Sequence, residues 1–455
     1  MFKKIEIWIL YLTILLSFLF AIGFGVLVRQ ELVGSFKAGW LSKTALNLAE
    51  IPMNIKKIYE GVSFDLTRED RFPTFDGFAG IPNAEESYLL LSRYDSDLQE
   101  GVVELVDLTN FEILHTWNPD IDSLNALVEQ VDEFKYLNRD LNNKRSRLIH
   151  PNLTEDGGLL SVLNYGPIQK IDACSNLVFQ NTHDNFHHSI ETDIDGNIWV
   201  PSSIYPQSLP IEKVGRNTIQ NGGFYDDAIV KLSQDGKILY EKSVPQIFID
   251  NGLEYLLFSV GDYRFDKDPI HLNDIQPVNF DGEFWKKGDV FLSLRHQSMV
   301  LLYRPSTNKI IWKGTGLFFH QHDIDIMDNN RISVFNNNSK SFANHDVVDG
   351  HNEVIIYDFK INEYSSYLKD SLIKNDVRTI TEGRSEILIN GDLFIEESNY
   401  ARTLYFNADG SLRWTHINRG DDGNVYFVGW SRILYLDKDI QTVNNFLTNK
   451  GICNE

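Results

Sequence analysis

Short apolar runs separated by polar turns recur along most of the chain. In six segments an alternating apolar run meets a turn of Asp, Asn, Gly or Ser, and a second apolar run follows, which predicts a β-hairpin in each. The hairpins repeat at roughly sixty residues, as in repeat-built folds. The six segments are Val103–Trp117, Ile168–Phe179, Ala228–Tyr240, Met299–Trp312, Glu353–Tyr367 and Arg402–Trp414.

A further extended run precedes each later hairpin: Gly196–Val200, Gly288–Leu294, Asn330–Phe335 and Gly391–Glu397. With one more strand leading in, each unit becomes a four-stranded antiparallel blade. Six such units predict an all-β fold, a six-bladed β-propeller whose ring protects its sheet edges. We expect the run 423–430 to close the ring beside the early run 88–94, and the helix-like insertion 120–142 to serve packing.

The N-terminus predicts a membrane anchor. Behind Lys3 and Lys4, the stretch Ile7–Val28 is uncharged and would span roughly 30 Å as a helix. Its length, and the lack of a small-x-small cleavage site before Arg29, favour an uncleaved anchor over a removed signal. The two lysines should remain in the cytoplasm, which predicts a single-pass protein of the inner membrane with the rest of the chain in the periplasm.

Three regions follow from these patterns. Residues 1–28 are the cytoplasmic stub and transmembrane anchor, residues 29–83 a short helical lead-in or stalk, and residues 84–455 the propeller. The lead-in is assigned because its apolar residues recur at helical spacing.

The amino-acid composition limits the kinds of partner and scaffold that the protein can have. The chain has 42 Lys and Arg against 64 Asp and Glu, and this formal net charge of −22 argues against nucleic acid as a general partner. Only two cysteines are present, which excludes a disulfide-built scaffold and a Cys-rich zinc module. Export would allow one Cys174–Cys453 bridge, and the sequence leaves that pairing open.

Histidines mark the predicted site. His188, His271 and His322 each lie just upstream of the second strand of consecutive units, and His188 and His322 are each ten residues before an isoleucine of that strand. Since the first strand of a blade lines the central channel, the three imidazoles should converge at one channel mouth. Arg295 ends a second strand and should reach the same space.

At these residues the sequence resembles the bacterial arylsulfate sulfotransferases. The resemblance is strongest in HLNDI, GDVFLSLRHQSMV, NKIIWKGTG and QHDIDIMDNNRISVFNNN. It implies a six-bladed propeller enzyme that moves a sulfuryl group from an aryl sulfate to a phenolic acceptor without a nucleotide donor. It also implies that His322 becomes transiently sulfated and that His188, His271 and Arg295 support it.

The residue types suit this chemistry independently. Sulfuryl transfer needs a neutral nucleophile, cations for the sulfuryl oxygens and an acid for the leaving phenolate. Arg295 can clamp two oxygens, Asn273 can add a neutral donor, and either His188 or His271 can act as the acid and base. Asp323 receives no role, because on a strand it points away from the face of His322.

Two other functions stay open. His320 and His322, with His187 or His188, form an alternative metal set, but without a Cys or an ordered carboxylate set we predict no metal. No nucleotide-binding motif is present, so we predict no cofactor.

The non-enzymatic alternative is a membrane-tethered propeller used as a binding platform. The physiological donor and acceptor, and whether the chain forms a homodimer, are left open.

Overall fold

A computed structural model describes residues 6–32, 38–59, 66–215, 223–259, 265–342 and 345–449. Helices occupy only a small part of these residues. They are α1 (Ile7–Leu32), α2 (Trp40–Tyr59), α3 (Ile121–Asn125), α4 (Leu137–Asp140), α5 (Ile211–Val214), α6 (Val244–Asp250), α7 (Tyr255–Phe258), α8 (Lys369–Lys374) and α9 (Asp437–Asn449).

Strands make up most of the remaining regular structure. The first half of the chain contains β1 (Thr67–Arg68), β2 (Gly77–Gly80), β3 (Tyr88–Asp95), β4 (Glu100–Asp107), β5 (Glu112–Trp117), β6 (Ile149–Leu153), β7 (Leu159–Val162), β8 (Gly166–Ile171), β9 (Leu177–Phe186), β10 (Glu191–Thr192), β11 (Ile198–Ser203), β12 (Asp227–Leu232) and β13 (Ile238–Ser243). The second half contains β14 (Leu272–Pro277), β15 (Val290–Leu294), β16 (Met299–Arg304), β17 (Lys309–Thr315), β18 (Ile324–Ile326), β19 (Arg331–Asn336), β20 (Ser339–Phe342), β21 (His345–Val348), β22 (Glu353–Asp358), β23 (Glu363–Tyr367), β24 (Arg384–Ile387), β25 (Leu393–Glu397), β26 (Arg402–Phe406), β27 (Leu412–Ile417), β28 (Val425–Tyr426) and β29 (Arg432–Leu434).

These strands form an all-β, propeller-like fold. Four antiparallel blades are separate sheets, in the orders β29-β3-β4-β5, β14-β15-β16-β17, β18-β19-β22-β23 and β24-β25-β26-β27, the last extended by β2. The strands from β6 to β13 form one eight-stranded sheet, in which β9 pairs with β11 only at its end, through Phe186 with Ser202 and Asn185 with Ser203. Six separate blades are therefore not established, and that number stays a prediction.

All six predicted hairpins are present as antiparallel pairs, because the alternating runs bury one face and the turns reverse the chain. The predicted closure is shifted along the chain. The strand that pairs with β3 is β29, just beyond the run 423–430, and from that run Val428 makes a single bridge to Arg93. The insertion 120–142 forms the two short helices α3 and α4 rather than one, and Val128, Phe134 and Leu137 pack together there.

Side chains tie neighbouring sheets together where each sheet's first strand begins. In each pair a buried acceptor takes a backbone N–H at the start of the next sheet or, in the case of His150, at the start of the second half of the eight-stranded sheet. The pairs are His150 Nδ1 with Ile190 N at 3.0 Å, Asp227 Oδ2 with Leu272 N at 2.7 Å, Asp274 Oδ2 with Ile324 N at 3.0 Å, Asp323 Oδ2 with Ser385 N at 3.0 Å, and the Glu396 carboxylate with Trp430 N at 2.6 Å and Ser431 N at 2.7 Å.

The chain divides into two compact units, residues 1–63 and 64–455. In the first, α1 is long and apolar enough over Ile7–Glu31 to cross a membrane, a property that an anchor and an N-terminal signal share. Helix α2 lies within residues 29–83, the region that the sequence assigns to the lead-in. In the second, β1 and β2, from the region assigned to the lead-in, pair with β28 and β27. The Cys174–Cys453 bridge depends on Cys453, which lies outside the described residues.

Candidate functional site

The predicted site residues lie at one edge of neighbouring sheets. His271 directly precedes β14, His322 lies two residues before β18, and Arg295 directly follows β15. In an antiparallel sheet the first strand starts where the second strand ends, so these positions meet. His188, three residues before β10, brings its ring centroid within 5.4 Å of that of His271 and 6.5 Å of that of His322.

His322 has both ring nitrogens hydrogen-bonded. Its Nδ1 lies 2.6 Å from Asn337 Oδ1, and its Nε2 accepts the backbone N–H of Glu382 at 2.9 Å. The Asn337 amide is oriented because its Nδ2 donates to the carbonyls of Thr379 and Glu382, which leaves Oδ1 facing the imidazole. His322 therefore carries its proton on Nδ1 and a lone pair on Nε2.

The environment keeps His322 neutral. The side chain is 1% exposed, and burial, followed by the charge of Arg295, holds the pKa of His322 well below its usual value. Asn337 and Glu382 were not among the predicted site residues. A run of three asparagines that begins at the last residue of β19 was the sequence signal for Asn337, whereas Glu382 contributes its backbone N–H, which no side-chain pattern reveals.

His188 is also buried, with 8% of its surface exposed. Its Nδ1 lies 2.8 Å from Nδ1 of His187, whose ring stacks on Tyr165. Burial, together with the adjacent imidazoles and Arg295, holds the pKa of His188 well below its usual value. Trp430 closes the space, with ring centroids 6.0 Å from His188 and 6.1 Å from His322.

His271 differs from the other two histidines because it has a carboxylate partner. Its Nδ1 lies 2.5 Å from Asp268 Oδ2, so Nδ1–H donates to the carboxylate and Nε2 keeps its lone pair. Burial opposes ionisation of Asp268, but the hydrogen bond from His271 and the surrounding imidazoles keep the pKa of Asp268 below its usual value. This pairing is the arrangement that orients a histidine general base.

Arg295 supplies the positive charge. The residue is 9% exposed, Nη1 donates to Nε2 of His296 at 2.8 Å, and Nε is buried without a hydrogen-bond partner. Burial lowers the pKa of Arg295, yet an arginine starts so high that it stays cationic at neutral pH. A buried donor without a partner is costly unless a ligand completes it.

The remaining candidates lie close to the site but contact the imidazoles only indirectly. Asn273 Nδ2 donates to the backbone carbonyl of Gln321 at 3.0 Å, and its Oδ1 is buried without a partner. Asp323 accepts the backbone N–H of Ser385 at 3.0 Å, and its lack of a role in the site stays a prediction.

The alternative metal set does not assemble as the sequence suggested. Among the described residues, the groups with close ligand atoms are Asp268–His271–His296 and His183–Asp184–Glu241, and neither contains His320 or His322. In the first group, hydrogen bonds to Asp268 already occupy Nδ1 of both histidines.

Fold and site together define a propeller-like protein in which the neutral imidazoles of His188 and His322 and the cationic guanidinium of Arg295 share a buried site, a combination suited to transfer of an anionic group. A family model described as Arylsulfotransferase (ASST) matches residues 157–419, more than half of the sequence. The chain belongs to the arylsulfotransferase family, which confirms the resemblance seen in its motifs. Membership indicates a sulfotransferase that acts on small molecules.

A search of curated proteins found no match to this sequence. Among solved structures, a Bacteroides caccae protein of unknown function is 11% identical with a TM-score of 0.46, covering 77% of this chain and 99% of that one. TolB from Acinetobacter baumannii is 11% identical, TM-score 0.40, covering 78% and 66%. Virginiamycin B lyase from Staphylococcus aureus is 9% identical, TM-score 0.33, covering 59% and 69%.

Proposed function

We propose that the protein is a nucleotide-independent sulfotransferase that moves a sulfuryl group from an aryl sulfate to a phenol through a sulfohistidine at His322. The observation that carries this proposal is the state of His322: a buried neutral imidazole, with its proton held on Nδ1 by Asn337. The charge of Arg295 acts on the same ring, and the unpartnered Nε of Arg295 is a donor available to a sulfuryl oxygen.

In the first half-reaction, Nε2 of His322 exchanges its hydrogen bond from Glu382 for the sulfur atom of the donor. The Nε2–S bond forms and the bond from sulfur to the aryl oxygen breaks. The electron pair leaves with the phenolate, which takes a proton from an acid. Arg295 and the freed N–H of Glu382 then stabilise the sulfuryl oxygens, as preorganised donors do at other charged transition states.

We assign the acid and base role to His271. Its Nδ1–H is held by Asp268, which leaves Nε2 to exchange protons: His271 protonated at Nε2 gives that proton to the leaving phenolate, and the neutral ring, with its Nε2 lone pair, then removes the proton of the incoming phenol. In the second half-reaction the phenol oxygen attacks sulfur, the Nε2–S bond breaks, and His322 regains its lone pair. The buried, neutral ring of His188 lies beside the rings of His271 and His322 and would contact the sulfuryl group there. Asn273 remains the predicted neutral hydrogen-bond donor.

We also propose that the fold has six blades, the eight-stranded sheet being two blades that meet between β9 and β11. The sheet-to-sheet hydrogen bonds support this number, because the pair of His150 with Ile190 links the two halves of that sheet as Asp274 and Asp323 link separate sheets. We further propose that α1 is an uncleaved anchor and that the second unit lies in the periplasm.

The test is turnover of a chromogenic aryl sulfate by the full-length protein in detergent, with and without a phenol acceptor. We expect acceptor-dependent release of the chromophore, insensitive to chelators, that His322→Asn abolishes. His183→Asn, which changes an exposed histidine outside the site, is the matched control. Binding without turnover across many aryl sulfates would favour the binding-platform alternative, and loss of activity on chelation would favour a metal enzyme.

A further inference from the structure

A chain of hydrogen bonds sets the orientation of Arg295. His296 Nε2 accepts from Arg295 Nη1 at 2.8 Å, and His296 Nδ1 lies 2.5 Å from the backbone carbonyl oxygen of Asp268. The carbonyl oxygen can only accept, so the proton of His296 must be on Nδ1. Nε2 is thereby left as an acceptor, directed at the guanidinium.

His296 is the neutral partner that Arg295 requires. Among the residues the structure describes, no carboxylate makes a hydrogen bond or close ion pair with Arg295. A carboxylate there would neutralise the guanidinium and weaken its attraction for an anionic sulfuryl group. An imidazole fixes the guanidinium through one hydrogen bond without pairing its charge, so the nearby carboxylates of Asp346, Asp268 and Glu382 act on Arg295 only at longer range.

The same segment also fixes the acid and base. Asp268 holds His271 through its carboxylate and His296 through its carbonyl, and the rings of His271 and His296 stack with centroids 4.4 Å apart. His296 is also near Arg295, near His320, whose ring centroid lies 6.3 Å away, and near the Asp268 carboxylate, whose Oδ2 lies 3.7 Å from His296 Nδ1. Asp268 therefore makes hydrogen bonds both to His271, the acid and base, and to His296, the hydrogen-bond partner of Arg295.

We propose that His296 is a positioning residue that holds the Arg295 guanidinium in place for the sulfuryl oxygens. This inference rests on the proposed sulfuryl transfer, in which Arg295 is the clamp. The proposal requires that the effect of His296 pass through Arg295 rather than through the stacked ring of His271, so this effect should disappear when the guanidinium is removed.

A double-mutant cycle tests this dependence. The full-length variants are His296→Leu, Arg295→Ala and the combination, with His296→Gln as the conservative variant, since a glutamine can both accept from Arg295 and donate to the carbonyl. We expect His296→Leu to lower kcat/KM by roughly 10–100-fold, the range seen for partners that orient a functional side chain. The double variant should fall no further than Arg295→Ala, and His296→Gln should recover most of the loss.

Donor binding gives a readout that does not depend on turnover. In the His322→Asn background, calorimetry with 4-nitrophenyl sulfate should show that His296→Leu weakens binding when Arg295 is present. When Arg295 is replaced by alanine, adding His296→Leu should cause no further loss of affinity. The proposal would be overturned if His296→Leu lowered kcat/KM or donor affinity by the same factor with Arg295 present and with Arg295→Ala. Full activity of His296→Leu would also overturn it. If the wild type binds the aryl sulfate but does not turn it over, the sulfotransferase assignment fails while the affinity cycle still decides the role of His296.

Discussion

Several histidines of the site adopt a backbone conformation that residues with a side chain rarely take. The φ angles of His188, His271 and His320 are +57°, +52° and +53°, and Glu382, whose N–H contacts His322, has φ +56°. Each such residue costs on the order of 1–3 kcal/mol and persists where the surrounding structure holds it. Here the left-handed turn aims a ring or a backbone N–H into the site at the start of a strand.

Asp268 should be needed for the acid–base role of His271 but not for the neutral state of the nucleophile His322. Asp268→Asn removes the carboxylate that orients His271 and stabilises its protonated form, and it keeps the backbone carbonyl that binds His296. We expect kcat to fall by about 10²–10⁴. The loss should shrink for donors with more acidic leaving phenols, because these need less protonation. Rates with a series of substituted aryl sulfates measure this, and an equal loss across the series would contradict the role of His271.

The convergence of the three histidines could be predicted because it depends on register. The distance in sequence from His188 to Ile198 equals that from His322 to Ile332, and the repeat then places both rings at the same edge. The partners Asn337 and Asp268 could not be predicted. Each lies in an irregular segment beside a strand, where contacts depend on tertiary packing rather than on an alternating pattern.

At the scale of elements, the bonds between sheets should contribute measurably to stability. Glu396→Ala would leave the backbone N–H groups of Trp430 and Ser431 buried without an acceptor, each at a cost of about 1–3 kcal/mol. We expect a lower urea midpoint with an unchanged m value. Glu363→Ala, on the exposed strand β23, is the control and should stay within about 0.5 kcal/mol of the wild type. Equal midpoints for the two variants would show that this link does not hold the sheets.

Glu133 should make stability depend on pH. Burial raises the pKa of Glu133 to about 8, while Asn185 donates to its Oε1 at 2.7 Å. Because the folded state binds this proton more tightly than the unfolded state, its stabilising effect is complete below the unfolded pKa, near 4.5, and is lost as pH rises toward 8. Glu133→Gln should flatten the fall of Tm over this window. An unchanged slope would mean that Glu133 is ionised in the fold.

Hairpins were the elements that sequence predicted best, since alternation and turn residues are local signals. Ring closure was predicted less well. The run 423–430 alternates like a strand, but Trp430 has φ +58°, so the chain turns at this residue. The strand that pairs with β3 is therefore β29, which follows the turn. The insertion 120–142 has helical spacing, yet its apolar residues pack through two short helices and turns, an outcome that depends on the sheet beneath.

At the scale of the whole molecule, the membrane prediction concerns α1. We expect protease added to intact spheroplasts to digest the second unit, because the lysines before α1 should stay in the cytoplasm. We also expect peptides from Ile7–Leu32 in the membrane-bound protein, since an anchor is retained. Complete protection from protease would reverse the orientation, and a mature N-terminus beyond α1 would identify a cleaved signal.

The central claim is that His322 carries the sulfuryl group. The most direct measurement is intact-mass and peptide mass spectrometry after brief exposure of the full-length protein to an aryl sulfate without acceptor. We expect one sulfuryl adduct on the peptide containing Gln321-His322-Asp323, lost on addition of a phenol and absent in His322→Asn. An adduct on another residue, or transfer that persists in His322→Asn, would contradict it.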